Sequence, residues 1–96
     1  MSAIIQEFIE NLSPKVAGTL QGTAKLVITD EGSLMLDDAG ARVGDDDADV
    51  TLIASEQVFR NILSGEQNPA MAFMTGKLKV VGSSTRALKV SDILTS

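Results

Sequence analysis

The sequence of 96 residues contains no cysteine, histidine, tryptophan or tyrosine, and phenylalanine occurs only three times. The absence of cysteine and histidine excludes disulfides, cysteine nucleophiles, Ser-His-Asp triads and zinc sites built from these ligands. It also removes the side chain that most often transfers protons near neutral pH. Three aromatic rings are too few for a platform that stacks nucleic-acid bases. We therefore expect a protein that is not an enzyme, needs no cofactor and binds no nucleic acid.

Basic residues are also few, since eight Lys and Arg face thirteen Asp and Glu, which gives a net charge of −5. A net negative charge argues against nucleic-acid phosphates or an anionic membrane as the main partner. The first seven residues lack the basic start of a signal peptide, and no apolar run approaches the roughly 18 residues that span a bilayer. These features predict a protein located in the cytoplasm. The length of 96 residues predicts one domain over residues 1–96.

Hydrophobic periodicity predicts an α+β order of elements. A helix is predicted over residues 2–12 and ends at Ser13-Pro14, because the residue before a proline avoids the helical region. Four short strands follow, at 24–28, 33–37, 41–44 and 49–54, and their close spacing favours an antiparallel meander. Further helices are predicted from Ser55 to Gly65, from Asn68 to Gly76 and from Ser83 or Ser84 onward, with a strand at 77–82 before the last one. The last helix should turn Ala87, Leu88, Val90, Ser91 and Leu94 toward the core.

An acidic run resembles a calcium loop in part. Asp45, Asp47 and Asp49 fall at loop positions 1, 3 and 5, and Glu56 falls at position 12. Position 6, where the sharp turn needs glycine, is Val50, and residues 49–54 alternate as a strand. The run is therefore predicted to be a solvated loop without a metal ion.

The segment Asn68–Met74 is a short helix with almost no polar face. Such a helix is either buried on all sides or lines an apolar space. Methionine, here Met71 and Met74, is the flexible residue that adapts to variable apolar partners. Periodicity alone leaves the choice between core and cavity wall open.

Several motifs, taken in order, resemble the sterol carrier protein type 2 domain family. The resemblance rests on a strand with the pattern D-x-T-hydrophobic, a helix and a hinge ending in proline. It continues with A-F-x-x-G-K-hydrophobic-K-hydrophobic-x-G and a closing helix. In this chain the matching segments are Asp49–Glu56, Leu63–Glu66, Asn68-Pro69, Ala72–Gly82 and Ala87-Leu88-Lys89. The match is strongest over residues 49–94 and weaker over residues 1–48.

The resemblance implies a five-stranded mixed, mostly antiparallel sheet with helices on one face, enclosing a hydrophobic tunnel for lipid. The residues that it predicts to line the tunnel are Phe8, Leu26, Leu36, Val58, Ile62, Met71, Phe73, Met74, Leu78 and Leu88. Among these we expect Phe73 to be a core anchor near Phe59 and Leu78, and Met71 and Met74 to contact the ligand. The second strand, with Leu34, Met35 and Leu36, lacks the aromatic residue of many members, so the identity of the ligand stays open.

The implied function is the binding or transfer of an apolar lipid, such as a fatty acid, an acyl-CoA, a sterol-like molecule or a phospholipid. The expected partner is this lipid, held by a monomer that contacts membranes transiently. The chain ends in Leu94-Thr95-Ser96 and not in a peroxisomal Ser-Lys-Leu signal, which also favours the cytoplasm. The alternative function is a non-catalytic accessory module with a packed interior, serving an enzyme that metabolises lipids or quinones.

Overall fold

The computed structural model describes residues 3–95. Four helices and five strands follow one another in the order predicted from the sequence: α1 Ala3–Val16, β1 Ala24–Ile28, β2 Gly32–Asp37, β3 Gly40–Val43, β4 Val50–Ala54, α2 Glu56–Ser64, α3 Pro69–Met74, β5 Lys79–Gly82 and α4 Ser84–Thr95. The predicted α+β class and the mixed five-stranded sheet are confirmed.

The sheet has the strand order β3-β2-β1-β4-β5, so β1 lies at its centre. β1 pairs antiparallel with β2 and parallel with β4, while β2 with β3 and β4 with β5 are antiparallel pairs. The prediction that the first four strands form an antiparallel meander is therefore wrong for the fourth. β4 does not continue the meander beyond β3, because it pairs on the other side of β1.

The hydrophobic core lies between the helices and one face of the sheet, called the inner face here. Side chains alternate along β1 and β4 between buried and half-buried positions, as expected for a sheet with one covered face. The buried residues of α1 are spaced three or four apart, so they form one stripe along the helix. The core residues are Ile5, Phe8, Leu12, Val16, Leu20, Ala24, Leu26, Ile28, Leu34, Leu36, Val50, Leu52, Ala54, Phe59, Ile62, Ala72, Leu78, Ala87, Val90 and Leu94.

The opposite, outer face of the sheet is partly covered by the connection between β3 and β4. Met35 points away from Leu34 and Leu36, yet it is only 1% exposed. A Cβ on Gly44 would lie 2.7 Å from Met35 Cγ, so the connection touches Met35. Further along, Asp45 accepts a 2.9 Å hydrogen bond from Lys25 Nζ, and Lys25 is the β1 partner of Met35. The acidic run therefore crosses the outer face.

Helix α1 extends past the predicted end at Ser13-Pro14 and reaches Val16. The correction has a packing reason, since Leu12 and Val16 lie four residues apart and are both fully buried. Their burial outweighs the one backbone hydrogen bond that Pro14 cannot donate. Ser13 Oγ also accepts a 3.0 Å bond from Ala41 N, which ties this turn to β3. The predicted first residue of the helix, Ser2, lies outside the described residues.

The other helix ends follow the capping signals of the sequence. Ser55 Oγ accepts from Val58 N at 3.2 Å, and Gly65, in the left-handed region, ends α2. Ser83 Oγ accepts from Arg86 N at 3.3 Å at the start of α4. The predicted start and end of α2 and the predicted start of α4 are confirmed to within one residue.

Gly82 ends β5 at a place where a side chain has no room. Its φ is +102°, and a Cβ there would lie 2.7 Å from the backbone oxygen of Asp49. Gly65 has a φ of +85° but no atom within 4 Å of its added Cβ. We expect Gly65→Ala to lower the free energy of unfolding by about 1 kcal/mol through backbone strain alone. Gly82→Ala should lower it by about 3 kcal/mol, because backbone strain and collision add.

Urea unfolding of the two variants measures this difference. Equal losses of stability in Gly65→Ala and Gly82→Ala would show that the close approach of Gly82 to Asp49 has no energetic consequence.

Arg60 joins α1 to α2 on the protein surface. Its guanidinium donates to Glu7 Oε1 at 3.1 Å and to Glu7 Oε2 at 2.5 Å, and its Nε donates to Glu56 Oε2 at 2.6 Å. The guanidinium carbon also lies 5.3 Å from the centroid of the Phe8 ring, which is a cation–π contact. The hydrogen bond from Arg60 lowers the pKa of Glu7 below its ordinary value of 4.5.

Removing this arginine should return Glu7 to normal titration. In Arg60→Gln we expect the pKa of Glu7 to rise, and NMR titration of the Glu7 carboxyl carbon measures the change. A carboxyl whose pKa is lowered by folding stabilises the protein above its unfolded pKa and loses that contribution as the pH falls through its folded pKa. The stability difference between wild type and variant should therefore shrink below about pH 4.5. An unchanged Glu7 pKa in the variant would show that the hydrogen bond from Arg60 is not what lowers it.

Candidate functional site

The short helix α3 is fixed at its start by Asn68 and Pro69. Asn68 Oδ1 accepts hydrogen bonds from Ala70 N at 2.8 Å and from Met71 N at 3.2 Å. Pro69 occupies the first helical turn, where no backbone N–H is needed. The sequence prediction of this cap is confirmed, and the cap sets the direction in which α3 leaves the loop.

Helix α3 has one buried residue, Ala72, which belongs to the hydrophobic core. The Ala72 carbonyl also accepts from Lys77 N at 2.9 Å and from Leu78 N at 3.0 Å. A helix of one and a half turns offers one inward position, and the small Ala72 takes it. The prediction that Phe73 is a core anchor is therefore wrong, because Phe73 is 50% exposed.

An apolar groove lies between α3, β5 and α4 and is called the α3–α4 groove here. Its volume is about 210 Å³. Leu78 and Ala87 are nearly fully buried and form its floor, while Phe73, Met74 and Leu88 are exposed and form its rim. The complete lining is Pro69, Ala70, Phe73, Met74, Leu78, Val80, Ser84, Ala87, Leu88 and Ser91. No charged side chain belongs to this lining, so it suits an apolar molecule.

Helix α4 supplies one wall of the groove through the edge of its buried face. Ala87, Val90, Ser91 and Leu94 are buried as predicted. Leu88 was also expected to face the core, and this is wrong, since it is 58% exposed. At 100° per residue, Leu88 lies 100° beyond Ala87 and 60° beyond Ser91, at the outer edge of the buried stripe. There it faces the groove.

The predicted site residues fall into two groups. Phe73, Met74, Leu78 and Leu88 line the α3–α4 groove. The other six do not: Phe8, Leu26, Leu36 and Ile62 are buried in the core, Val58 packs half-buried against the core, and Met71 is exposed on α3 outside the groove. The predicted tunnel between sheet and helices stays a prediction.

Six lining residues were missed by sequence reasoning, namely Pro69, Ala70, Val80, Ser84, Ala87 and Ser91. Ala87 and Ser91 lie four residues apart on α4, both on the side of Leu88 nearer the core, so the helical period contained the signal. Val80 follows Leu78 at the strand period of two on the inner face. The approach of these elements to α3 depends on tertiary packing, which no local pattern encodes.

Two other depressions have charged linings. One, of about 470 Å³, lies between the loop after α1 and the other side of α4, and includes Arg86 and Lys89. The second, of about 530 Å³, lies between α1 and α2 and includes Lys15, Arg60 and Glu66. Neither is as apolar as the α3–α4 groove.

The acidic run has partners within the protein. Besides the pair between Asp45 and Lys25, Asp49 Oδ2 accepts from Thr23 N at 3.0 Å, and Asp49 N donates to Thr23 O at 3.2 Å. Within residues 3–95, no three carboxylates come together as metal ligands would. Asp45 and Asp49 thus hold the β3–β4 connection against β1.

The sequence matches the SCP-2 sterol transfer family over residues 3–95. The chain belongs to this family. The resemblance found in the sequence is thereby confirmed, and the match extends over the weaker N-terminal half as well.

Two relatives illustrate where such domains occur. The chain is 33% identical over 94 residues to hydroxysteroid dehydrogenase-like protein 2 of Rattus norvegicus, covering 90% of this chain and 18% of the relative. It is 42% identical over 48 residues to a fatty acid-binding protein of Yarrowia lipolytica, covering 50% of this chain and 37% of the relative. The chain thus spans only about a fifth of the rat protein.

A solved structure of the same family has the same fold. The solution structure of sterol carrier protein 2 from Aedes aegypti, in complex with palmitate, aligns with a TM-score of 0.78 at 17% identity. The alignment covers 98% of this chain and 96% of that one. Between residues 3 and 95, no helix has the length and hydrophobicity needed to cross a bilayer.

The position of Phe73 leads to a stability prediction that compares it with Phe59. Phe59 is 1% exposed and meets the Phe8 ring edge-on, with centroids 6.4 Å apart. Phe59→Ala should lower the free energy of unfolding by about 3–5 kcal/mol, as for buried phenylalanines in general. Phe73→Ala should lower it by less than about 1 kcal/mol, since half of the ring is already in water. Denaturant unfolding measures both, and similar losses would place Phe73 in the core after all.

Proposed function

We propose that this protein binds an apolar lipid chain in the α3–α4 groove and carries it as a lipid-binding or lipid-transfer protein. The observation that carries the proposal is a lining without charged side chains whose rim residues are large, flexible and exposed. Two relatives support the proposal. The Yarrowia lipolytica protein is named a fatty acid-binding protein, and the Aedes aegypti protein was solved in complex with palmitate. The binding unit proposed is the whole chain, residues 1–96, acting as a monomer.

Apolar contact is sufficient to explain useful affinity. Each buried methylene contributes about 0.8 kcal/mol, so a chain of sixteen carbons offers about 13 kcal/mol before the costs of association. Micromolar affinity requires about 8 kcal/mol. A lipid can therefore be held without a charged partner, and we expect broad specificity for the chain and little for its polar end.

The groove must widen to hold a whole acyl chain. Its volume of about 210 Å³ is below the roughly 300–1,000 Å³ of typical small-molecule sites. Helix α3 is the wall that is able to move, because Ala72 is its only buried side chain. Outward movement of α3 would extend the groove past its floor at Leu78 toward the core residues of the predicted tunnel. Phe8, Leu26, Leu36, Val58 and Ile62 would contact ligand only in that widened state.

The proposed role is binding and not catalysis. The dehydrogenase in the name of the rat relative refers to a protein of which this chain spans 18%. The groove lining holds two serines but no acid, base or thiol, so it has no side chain that would transfer a proton or activate a serine as a nucleophile. Location in the cytoplasm stays a prediction.

Titration of delipidated protein with a soluble fluorescent fatty-acid analogue tests the proposal, and α3 supplies a matched pair of variants. Met74 is 77% exposed and lines the groove, whereas Met71 is 52% exposed on the same helix and does not. We expect Met74→Ala to weaken probe binding about three- to tenfold through lost methylene contacts. Met71→Ala should leave it unchanged.

Two results would contradict this assignment. The absence of saturable binding by the wild type would favour the accessory module with a packed interior. Equal effects of the two methionine changes would mean that the ligand lies elsewhere.

A further inference from the structure

The sulfur atoms of this protein all belong to methionine side chains. The sequence holds four methionines and no cysteine, and three of the four methionines lie within the described residues. Met74 is 77% exposed, Met71 is 52% exposed and Met35 is 1% exposed. An oxidant in water reaches an exposed thioether before a buried one. We therefore expect Met74 to react first, Met71 to react more slowly, and Met35 to react only when the protein unfolds.

The two exposed methionines of α3 differ in what they face. Met74 lines the α3–α4 groove, whereas Met71 does not. They lie three residues apart, which separates their directions by about 60° around the helix axis. The more exposed of the two thioethers is thus the one at the proposed ligand site, where a change in its polarity acts on a bound lipid.

The surroundings of Met74 in the groove are apolar. Among the residues that line the groove, Ser84 and Ser91 are the only ones with a polar side chain, and both belong to α4. The lining residues next to Met74 on its own helix, Ala70 and Phe73, have no hydrogen-bonding group in their side chains. A polar atom added to Met74 would therefore find no donor among the lining side chains of α3.

We propose that Met74 is an oxidation site, and that its conversion to the sulfoxide by peroxide weakens lipid binding in the α3–α4 groove. The thioether sulfur attacks one oxygen of hydrogen peroxide, so that an S–O bond forms and the O–O bond breaks. The sulfur gives up two electrons to the peroxide, whose second oxygen leaves with both protons as water. The product is methionine sulfoxide, which is polar where the thioether was apolar.

Oxidation of Met74 acts on binding because a lipid in the groove has to cover the sulfoxide oxygen. In the free protein that oxygen is hydrated, since Met74 is the most exposed large hydrophobic side chain of the described residues. A methylene chain placed against it displaces the water and supplies no hydrogen bond in return, and such burial of a polar group is costly. We expect the affinity for a lipid to fall about tenfold. This consequence rests on the proposed function, whereas the order of oxidation does not.

The fold does not depend on the thioether of Met74. Met74 is the last residue of α3, and its side chain lies mostly in water. The end of the helix is held by backbone groups instead, since Thr75 N donates to Met71 O at 2.9 Å. Because the sulfoxide remains exposed, it is accessible to methionine sulfoxide reductases, which return it to the thioether. The modification is therefore reversible in the folded protein.

Timed treatment of the delipidated full chain with hydrogen peroxide tests the proposal. Peptide mass spectrometry follows the gain of one oxygen at each methionine, and titration with the soluble fluorescent fatty-acid analogue follows affinity in the same samples. We expect Met74 to be oxidised first, with a parallel loss of probe affinity of about tenfold, while Met35 stays reduced. Treatment with both stereospecific methionine sulfoxide reductases should restore the affinity.

Two leucine variants assign the loss of affinity to one sulfur atom. Met74→Leu, compared with its own untreated sample, should keep its probe affinity after peroxide. Met71→Leu retains the thioether at position 74 and should lose affinity as the wild type does. Circular dichroism and thermal unfolding verify that the treated proteins are folded.

Three results would overturn the proposal: oxidation of Met71 or Met35 ahead of Met74, an unchanged affinity once Met74 is oxidised, or an equal loss of affinity in treated Met74→Leu. The untreated wild type separates this proposal from the proposed function. If it binds no probe, the proposed function fails and the control by oxidation fails with it. If it binds and the Met74 sulfoxide form binds equally well, only the control by oxidation fails.

Discussion

The parallel pairing of β1 with β4 determines most of the remaining architecture. β3 ends at one edge of the sheet, while β4 begins beside the start of β1. The six residues between these strands must therefore cross two strands and run back along them. Such a path is about 20 Å long, which six or seven extended residues are able to span. The inner face is occupied by helices, so the path crosses the outer face over Met35. β5 is then added beyond β4, and this places α3 and the groove at that edge of the molecule.

Local structure was largely predictable from the sequence because its signals are local. Ser55, Asn68 and Gly65 act on the backbone of their own helix ends, and their predicted roles agree with the hydrogen bonds observed. The direction of β4 was not predictable in this way, because alternation along Val50–Ala54 is the same in a parallel and an antiparallel pair. Pro14 led to the prediction that the first helix ends at Ser13-Pro14, whereas α1 continues to Val16. Its local effect is real, but burial of Leu12 and Val16 against the sheet outweighs it.

The candidate site was predictable only in part, for a reason of geometry. The apolar character of α3 predicted that this helix is core or cavity wall, but six residues fix no preferred face. The family resemblance predicted Phe73 as the core anchor, yet Ala72 occupies the inward position. Leu78 and Leu88 are well separated in sequence and meet across the groove only through the packing of β5 against α4.

The contact of α3 with the core through Ala72 offers one position at which the width of the α3–α4 groove is open to change. Ala72 is the one buried residue of α3, so its methyl group is where the helix meets the core. A smaller or larger side chain at position 72 would move α3 toward the core or away from it. Exchanges at this one position would change the width of the groove while leaving its chemistry unaltered. Selectivity for narrow or bulky lipids would then depend on a single core residue, since Ala72 is the one residue of α3 that belongs to the core.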